Sequence, residues 1–397
     1  MRPLPRSLTA PLIAAALVLL SGCGAADALR PEVASAPAPL PCTGTSPRLQ
    51  PASGVLLGVD LDWATDSAAA FGDRTGTRPA VMSAFVPFAL QRDDVALVDR
   101  VVDELVAQRS ALMLTVEPFD GLAAVDEVGA ARLARRVAGW SGRGVPVYVR
   151  FAEEMNGSWY PWGQQPREFV RAFRTVAGAV HEAAPLAAMV WAPNYAVGYP
   201  FRDGRQQSAR SDPVLDQLDT DEDGALTRTD DPYAPYWPGD AAVDWVGTSL
   251  FHWGDSYPWD RQTVPEQGKF LAQLTGTYGG ASGTAVRLPD FVKTYSVGHR
   301  KPFAVTETAA RWSPGQPGPG PDAMRQAWLA QVFSPEVLAA VPTLQMVTWL
   351  DWRRREPETR TTVDWRISDD PRAAAGFTRA VRGLRQAGDL GLCLPQT

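Results

Sequence analysis

The chain has 397 residues, which suits one large globular domain or two ordinary ones, and a single α/β barrel routinely fills such a length. Its formal net charge of −6 supplies no basic footprint for nucleic acid or for an anionic membrane surface. Fourteen tryptophans are a heavy load, expected to divide between core packing and platforms for sugar rings, because aromatic faces suit the C–H faces of pyranoses.

Residues 1–22 read as an export signal. Arg2 and Arg6 precede an apolar run, Leu12 to Leu20, that is too short to span a bilayer. The run ends in Leu20-Ser-Gly-Cys23, which resembles the lipobox of bacterial lipoproteins. The resemblance implies cleavage before Cys23, acylation of its thiol, and an extracytoplasmic protein anchored to the cell membrane by lipid; an ordinary secretory signal is the alternative. Residues 23–50 are Ala/Pro-rich with little apolar pattern and are expected to form a tether. The other cysteines, Cys42 and Cys393, lie near the two ends of the remaining chain. In an oxidising compartment they are expected to pair and pin both tails, with two free thiols as the alternative.

Residues 51–397 are expected to form a single domain. Short apolar runs at Val55–Val59, Ala80–Phe85, Ala111–Val116, Val145–Phe151, Ala188–Trp191, Val243–Leu250, Phe303–Thr306 and Leu344–Trp349 read as strands. Helical patterns such as Leu97–Gln108, Ala130–Trp140, Pro166–Ala184 and Ala323–Phe333 lie between most of them. This predicts an α/β fold of the (β/α)8 TIM-barrel type; a doubly wound open sheet would show a similar alternation. The barrel is favoured because unusual polar residues recur just after the strands: Asp60 and Asp62, Glu117, Glu154, Asn194, His252 and Trp253, Glu307, and Asp351. Barrels build function at those strand ends.

The long connection after the fifth strand holds Asp219-Thr-Asp-Glu-Asp-Gly-Ala-Leu-Thr-Arg-Thr-Asp230. Asp219, Asp221 and Asp223 at positions one, three and five, a glycine at six, Ala225 at seven for its carbonyl, and Asp230 at twelve follow calcium-loop spacing. One structural Ca²⁺ is expected here, with a solvated acidic loop as the alternative. No cofactor is expected for catalysis. The three histidines lack metal-ligand spacing, and neither a nucleophile elbow nor a phosphate loop is present.

The chemistry concentrates in Pro146–Gly163, where an apolar strand gives way to Glu153, Glu154 and a run of aromatics. Carboxylates among aromatics are costly to bury unless they are used. A second apolar strand delivers Glu307 in Phe-Ala-Val-Thr-Glu. The fourth and seventh strand ends lie on opposite sides of a barrel mouth, so their carboxyls can converge on one bond, as glycoside hydrolysis requires.

Arg-Phe-Ala-Glu-Glu-Met-Asn-Gly-Ser-Trp-Tyr-Pro-Trp-Gly at 150–163, Glu307 with the four residues before it, and Tyr233 to Gly247 resemble glycoside hydrolase family 26, the retaining β-mannanases and relatives of a large (β/α)8 clan. The resemblance runs from about Gly54 to the eighth repeat. It implies Glu154 as acid/base and Glu307 as nucleophile, with Arg150 orienting the carboxylates. Trp159 and Trp162 would line the cleft and Trp349 would floor it, while Asn156, Asn194, His252 and Trp253 would contact substrate. The family usually carries His before its acid/base, where this chain has Glu153, which strand alternation would turn away from the cleft towards a cation. It also tends to present a Tyr where this chain has Phe251, with His252 as a possible substitute.

The implied activity is endo-hydrolysis of a β-linked polysaccharide, β-mannan or glucomannan first, by a monomer. A β-1,3-1,4-glucanase, a β-xylanase, and a non-hydrolytic polysaccharide-binding or export-associated protein are the alternatives.

Overall fold

From Val147 to Phe151 the chain alternates Val147, Val149 and Phe151 with Tyr148 and Arg150. Successive side chains of a strand point to opposite faces. The first set therefore joins the large core between strands and helices, while Tyr148 joins a smaller cluster inside the barrel. The computed structural model describes residues 48–51, 53–196, 215–227, 229–255, 261–280, 288–357 and 359–386, all within one compact unit. Cys23, Cys42, Cys393, the signal and the tether lie outside the described residues.

The elements run β1 (Leu56–Leu61), α1 (Ala68–Thr75), β2 (Val81–Pro87), α2 (Arg92–Gln108), β3 (Ala111–Glu117), α3 (Glu127–Ser141), β4 (Val147–Phe151), α4 (Pro166–Ala183), β5 (Ala187–Trp191) and α5 (Leu215–Leu218). They continue β6 (Trp245–Ser249), α6 (Lys269–Leu274), a π-helical turn (Val292–Val297), β7 (Phe303–Thr308), α7 (Pro321–Val332), α8 (Pro335–Ala340), β8 (Leu344–Asp351), a hairpin of β9 (Arg353–Glu356) and β10 (Thr361–Asp364), and α9 (Pro371–Gln386). Strands β1 to β8 pair in chain order, all parallel. β8 returns to β1 from Leu56↔Met346 to Leu61↔Asp351, which closes the (β/α)8 barrel and excludes the open sheet.

The longer helices cover the strands with a stripe of period 3.6. In α4 that stripe is Phe169, Ala172, Phe173, Val176, Ala177 and Val180, all buried. At the N-terminal end of the strands the lumen is sealed by Tyr148 and Trp245, packed edge to face at 5.4 Å. Their polar tips reach the backbone oxygens of Leu49 and Arg48. Closing that end leaves the C-terminal mouth for chemistry.

β6 begins at Trp245 rather than at the expected Val243. Asp244 is drawn sideways instead, accepting from the Met189 amide and pairing with Arg48 and His181.

Candidate active site

Strand β4 stops at Phe151, but its backbone stays tied to both neighbours, with the Ala152 amide on the Val116 oxygen and the Glu154 amide on the Ala192 oxygen. Ala152 and Glu154 adopt left-handed φ values of 48° and 53°. Left-handed residues break the alternation of a strand, so Glu153 and Glu154 do not simply split between two faces. Glu154 keeps 8% exposure at the mouth, whereas Glu153 keeps 1%. Trp159 Nε1 donates to Glu154 Oε2 at 2.9 Å. The indole lies over Gly157, where a Cβ would meet the ring at 2.3 Å.

Opposite, the pairing of β7 slips on both sides: Ser249 pairs with Glu307 after Thr248 pairs with Val305, and Thr308 pairs with Trp349 after Val305 pairs with Val347. Such bulges re-aim a side chain. Thr306 abuts Gly247 and Glu307 bonds Arg150, while Thr308 faces outward to Trp328. Arg150, wholly buried, places Nη1 2.6 Å from Glu307 Oε2 and Nη2 2.7 Å from Ser249 Oγ. The arginine touches protein on both tines, so it positions the carboxylate rather than contacting substrate.

The mouth is crowded with acids, and burial separates them. Burial, then the charge of Glu307, raises Glu154 above the ordinary glutamate value, opposed by Arg150 and by hydrogen bonds from Asn194 and Ser249. Asp60 inside β1 is wholly buried, and burial followed by Glu307 holds it well above the usual range, opposed by Arg354, Arg150 and the Trp352 indole. Glu117, at the end of β3 on the wall of a side cavity of about 190 Å³, is pushed up to about 7 by burial and by Glu307.

The expectation that Glu153 pairs with a cation away from the cleft is overturned. Its carboxyl oxygens meet no donor among the described residues; the facing group is the Glu117 carboxyl. A half-buried carboxyl facing a buried one disfavours ionisation of both, so the pair favours holding a proton. Glu153 is accordingly held well above the usual range by burial, then by Glu117.

Several residues expected to touch substrate do structural work instead. Trp162 is fully buried, stacks on Tyr160 at 4.4 Å and donates to the Glu153 backbone oxygen at 2.7 Å, bracing the turn that carries Glu154. Asn156 is buried and clamps the Asn194 backbone, its Nδ2 donating to the Asn194 oxygen and its Oδ1 accepting from the Asn194 amide, which leaves the Asn194 side chain for Glu154. His252 is buried with Nε2 on the Thr263 oxygen, and burial followed by Lys269 lowers it to about 3, so it does not replace a hydroxyl beside Glu307. Trp349 is fully buried in the core cluster shared by Val347 and Val59, with its indole on the Trp365 oxygen, and forms no cleft floor. Asp62, a polar residue just after β1 to which no substrate role is assigned, caps its own loop through the Ala64 amide and Thr65 hydroxyl.

Phe251 and Trp253 remain half-exposed at the β6 end and pack on Trp365 at 5.2 and 4.9 Å. Sequence reasoning missed the hairpin that supports them. Trp365 is held by Glu356, and Arg354 lies over the half-exposed Trp352 with its charge felt by Glu307. Arg353-Arg-Arg-Glu356 directly after a barrel strand was the available signal.

In the acidic loop, carboxylate oxygens of Asp219, Asp221 and Asp223 lie within 4.8 Å of one another. The amides of Asp223 and Gly224 fold onto Asp219, and the Ala225 amide onto Asp223. Asp230 is buried and accepts from the Thr220 and Thr227 amides, closing the loop.

No family model matches the sequence, and no curated protein matches it. Solved structures do match in fold. A modular endo-β-1,4-mannanase from Cellulomonas fimi is 14% identical, over 87% of this chain and 74% of that one, with a TM-score of 0.52. The catalytic domain of a family 26 endo-β-1,4-mannanase from Bacillus sp. JAMB-750 is 16% identical over 83% and 86%, TM-score 0.50. A fungal β-1,4-galactanase is 12% identical over 82% and 99%, TM-score 0.50. At these identities the likeness is one of architecture: the chain is built on the (β/α)8 barrel found in family 26 β-mannanases and in a β-1,4-galactanase.

Proposed function

We propose that the chain is a retaining glycoside hydrolase that cleaves internal linkages of a β-linked polysaccharide, with β-mannan or glucomannan as first substrate. The observation that carries this reading is the unequal treatment of two carboxyls at opposite strand ends. Glu307 is clamped by the Arg150 guanidinium, while Glu154 is raised by burial and by the negative charge of its partner. Such divergence assigns the roles. Glu154 donates its proton to the glycosidic oxygen as that bond to the anomeric carbon breaks, and Glu307 forms a bond to the same carbon. Glu154, now ionised, then takes a proton from water as its oxygen displaces Glu307. Arg150 holds the nucleophile with its other tine on Ser249, and Trp159, Asn194 and Ser249 hold the acid.

The test is release of reducing ends from β-mannan, glucomannan, β-1,4-galactan, mixed-linkage β-glucan and β-xylan by wild type, Glu154→Ala and Glu307→Ala, with the first-formed anomer read by NMR. Variants that retain wild-type rates, or an inverted first product, would sink the reading. Binding of a glycan without any hydrolysis would favour a carbohydrate-binding role instead.

We further propose that Asp219, Asp221 and Asp223 hold one structural Ca²⁺ with the Ala225 carbonyl and Asp230, that Cys42 and Cys393 are bonded, and that the protein works as a monomer tethered by lipid on Cys23. The gathered aspartates support the first, the cysteine positions the second, and the lipobox-like Leu20–Cys23 the lipid tether.

A further inference from the structure

Away from the barrel mouth, the outer face of α4 carries Arg167, Arg171 and Arg174, spaced four and three residues apart and so aligned on one side of the helix. Together with Val170, Pro235 and Trp237 they line an open groove of about 700 Å³. The groove lining contains no acid, although the chain as a whole carries a formal charge of −6.

Two of the three guanidiniums are fixed without being neutralised. Arg171 donates from Nη1 to the Val125 oxygen at 3.0 Å and from Nη2 to the Leu122 oxygen at 2.5 Å. Arg174 donates from Nε to the Pro238 oxygen at 2.7 Å. Carbonyl acceptors hold the forks in place and leave their charge intact, and neither arginine has a carboxylate partner among the described residues. Only Arg167 meets an acid, Asp216, in a pair whose side chains are 70% and 63% exposed, which contributes little. Trp237 is half-exposed, steadied by His299 at 4.2 Å, and its indole N–H has no protein acceptor among the described residues.

Fixed, un-neutralised guanidiniums recognise carboxylate, sulfate or phosphate oxygens, losing little entropy on binding. An exposed tryptophan beside them adds a face for a ring. We propose that this groove is a second, non-catalytic site that binds an acidic glycan, sugar rings bearing carboxylate or phosphate groups, on the side of the barrel.

The test uses affinity electrophoresis of the full chain through gels containing polygalacturonate, with neutral dextran as the blank. Retardation is expected with polygalacturonate only, lost in high salt, and weakened about tenfold in Arg171→Ala/Arg174→Ala, as loss of charge-assisted bonds requires. Because Arg171 also ties α4 to the loop before α3, Arg174→Lys serves as a folding-neutral partner. It keeps the charge and is expected to retain binding, whereas Arg174→Gln loses it. Equal retardation of wild type and the double variant overturns the proposal. So does binding to anionic phospholipid vesicles with none to polygalacturonate. Glu154→Ala is expected to bind as wild type does, which separates this groove from the mouth.

Discussion

Arg150 spans the lumen from β4 and sets one guanidinium nitrogen 2.6 Å from Glu307 of β7 and the other 2.7 Å from Ser249 of β6. Arg150 is wholly buried and Glu307 is 7% exposed, so the pair stands in surroundings where an unmatched charge is costly. Arg150→Met is expected to lower stability by about 3–5 kcal/mol and to abolish hydrolysis; Arg150→Lys recovers part of the stability without the two-pronged grip. Denaturant unfolding beside turnover checks this. An unfolding midpoint that does not move in Arg150→Met argues against the clamp.

Trp159 donates to Glu154 Oε2, and a donor favours the ionised carboxyl. Trp159→Phe therefore raises an already elevated acid. The alkaline limb of the kcat/KM profile, where Glu154 loses its proton, is expected to move to higher pH. A shift to lower pH, or none, contradicts the assignment of Glu154 as proton donor.

The Glu117–Glu153 contact makes stability depend on pH. In the folded chain Glu117 holds its proton to about pH 7 and Glu153 is displaced the same way, whereas both start from an ordinary value of 4.5. The folded state then carries more protons than the unfolded one across that window, so stability is fullest below pH 4.5 and falls as pH rises through about 7. Glu153→Gln removes one of the two titrating acids. Its melting temperature is expected to fall less steeply with pH between about 5 and 8. Parallel curves for wild type and variant would refute the shared proton.

Two glycines give opposite expectations. A Cβ at Gly163 would stand 2.1 Å from the Gly157 oxygen, so Gly163→Ala forces the turn that carries Glu154 to open. A loss of about 1–3 kcal/mol is expected, together with most of the activity. A Cβ at Gly178, inside α4, meets nothing within 4 Å, and Gly178→Ala is expected to stabilise by about 0.5–1 kcal/mol. Thermal melts of the two side by side decide it.

If the aspartate loop holds Ca²⁺, a chelator lowers the melting temperature of wild type and leaves Asp219→Ala/Asp221→Ala unchanged. Calorimetric titration with CaCl₂ should show one site in wild type. A flat titration removes the ion from the account.

The barrel was legible because parallel strands buried on both faces read as unbroken apolar runs, and each expected run became a strand within a few residues. The carboxyls at the ends of β4 and β7 were legible for the same reason, as polar residues where apolar runs stop. Side-chain aim was not. Alternation assigns faces only while a strand lasts, and both site carboxyls stand where it fails, Glu154 past the end of β4 and Glu307 at a slipped pairing. Glu153 was thus expected to face a cation and instead faces Glu117. Trp162 and Trp349 look like platforms in one dimension, yet both are sealed in the core. The β9–β10 hairpin escaped notice because its charged run resembles any solvated loop, while its neighbour Trp365 is nearly fully buried against Phe251 and Trp253.

The two left-handed residues around Glu153 also bear on how this chain can change. Each such conformation costs about 1–3 kcal/mol, and most for side chains branched at Cβ. Position 152 is therefore open to alanine, glycine or asparagine and closed to valine, isoleucine or threonine. Position 153 lies in a niche with no donor from the described protein to greet a charge. Diversified by random mutagenesis and sorted for function, the turn should return a narrow alphabet at 152 and exchange Glu153 mainly for neutral side chains of similar length.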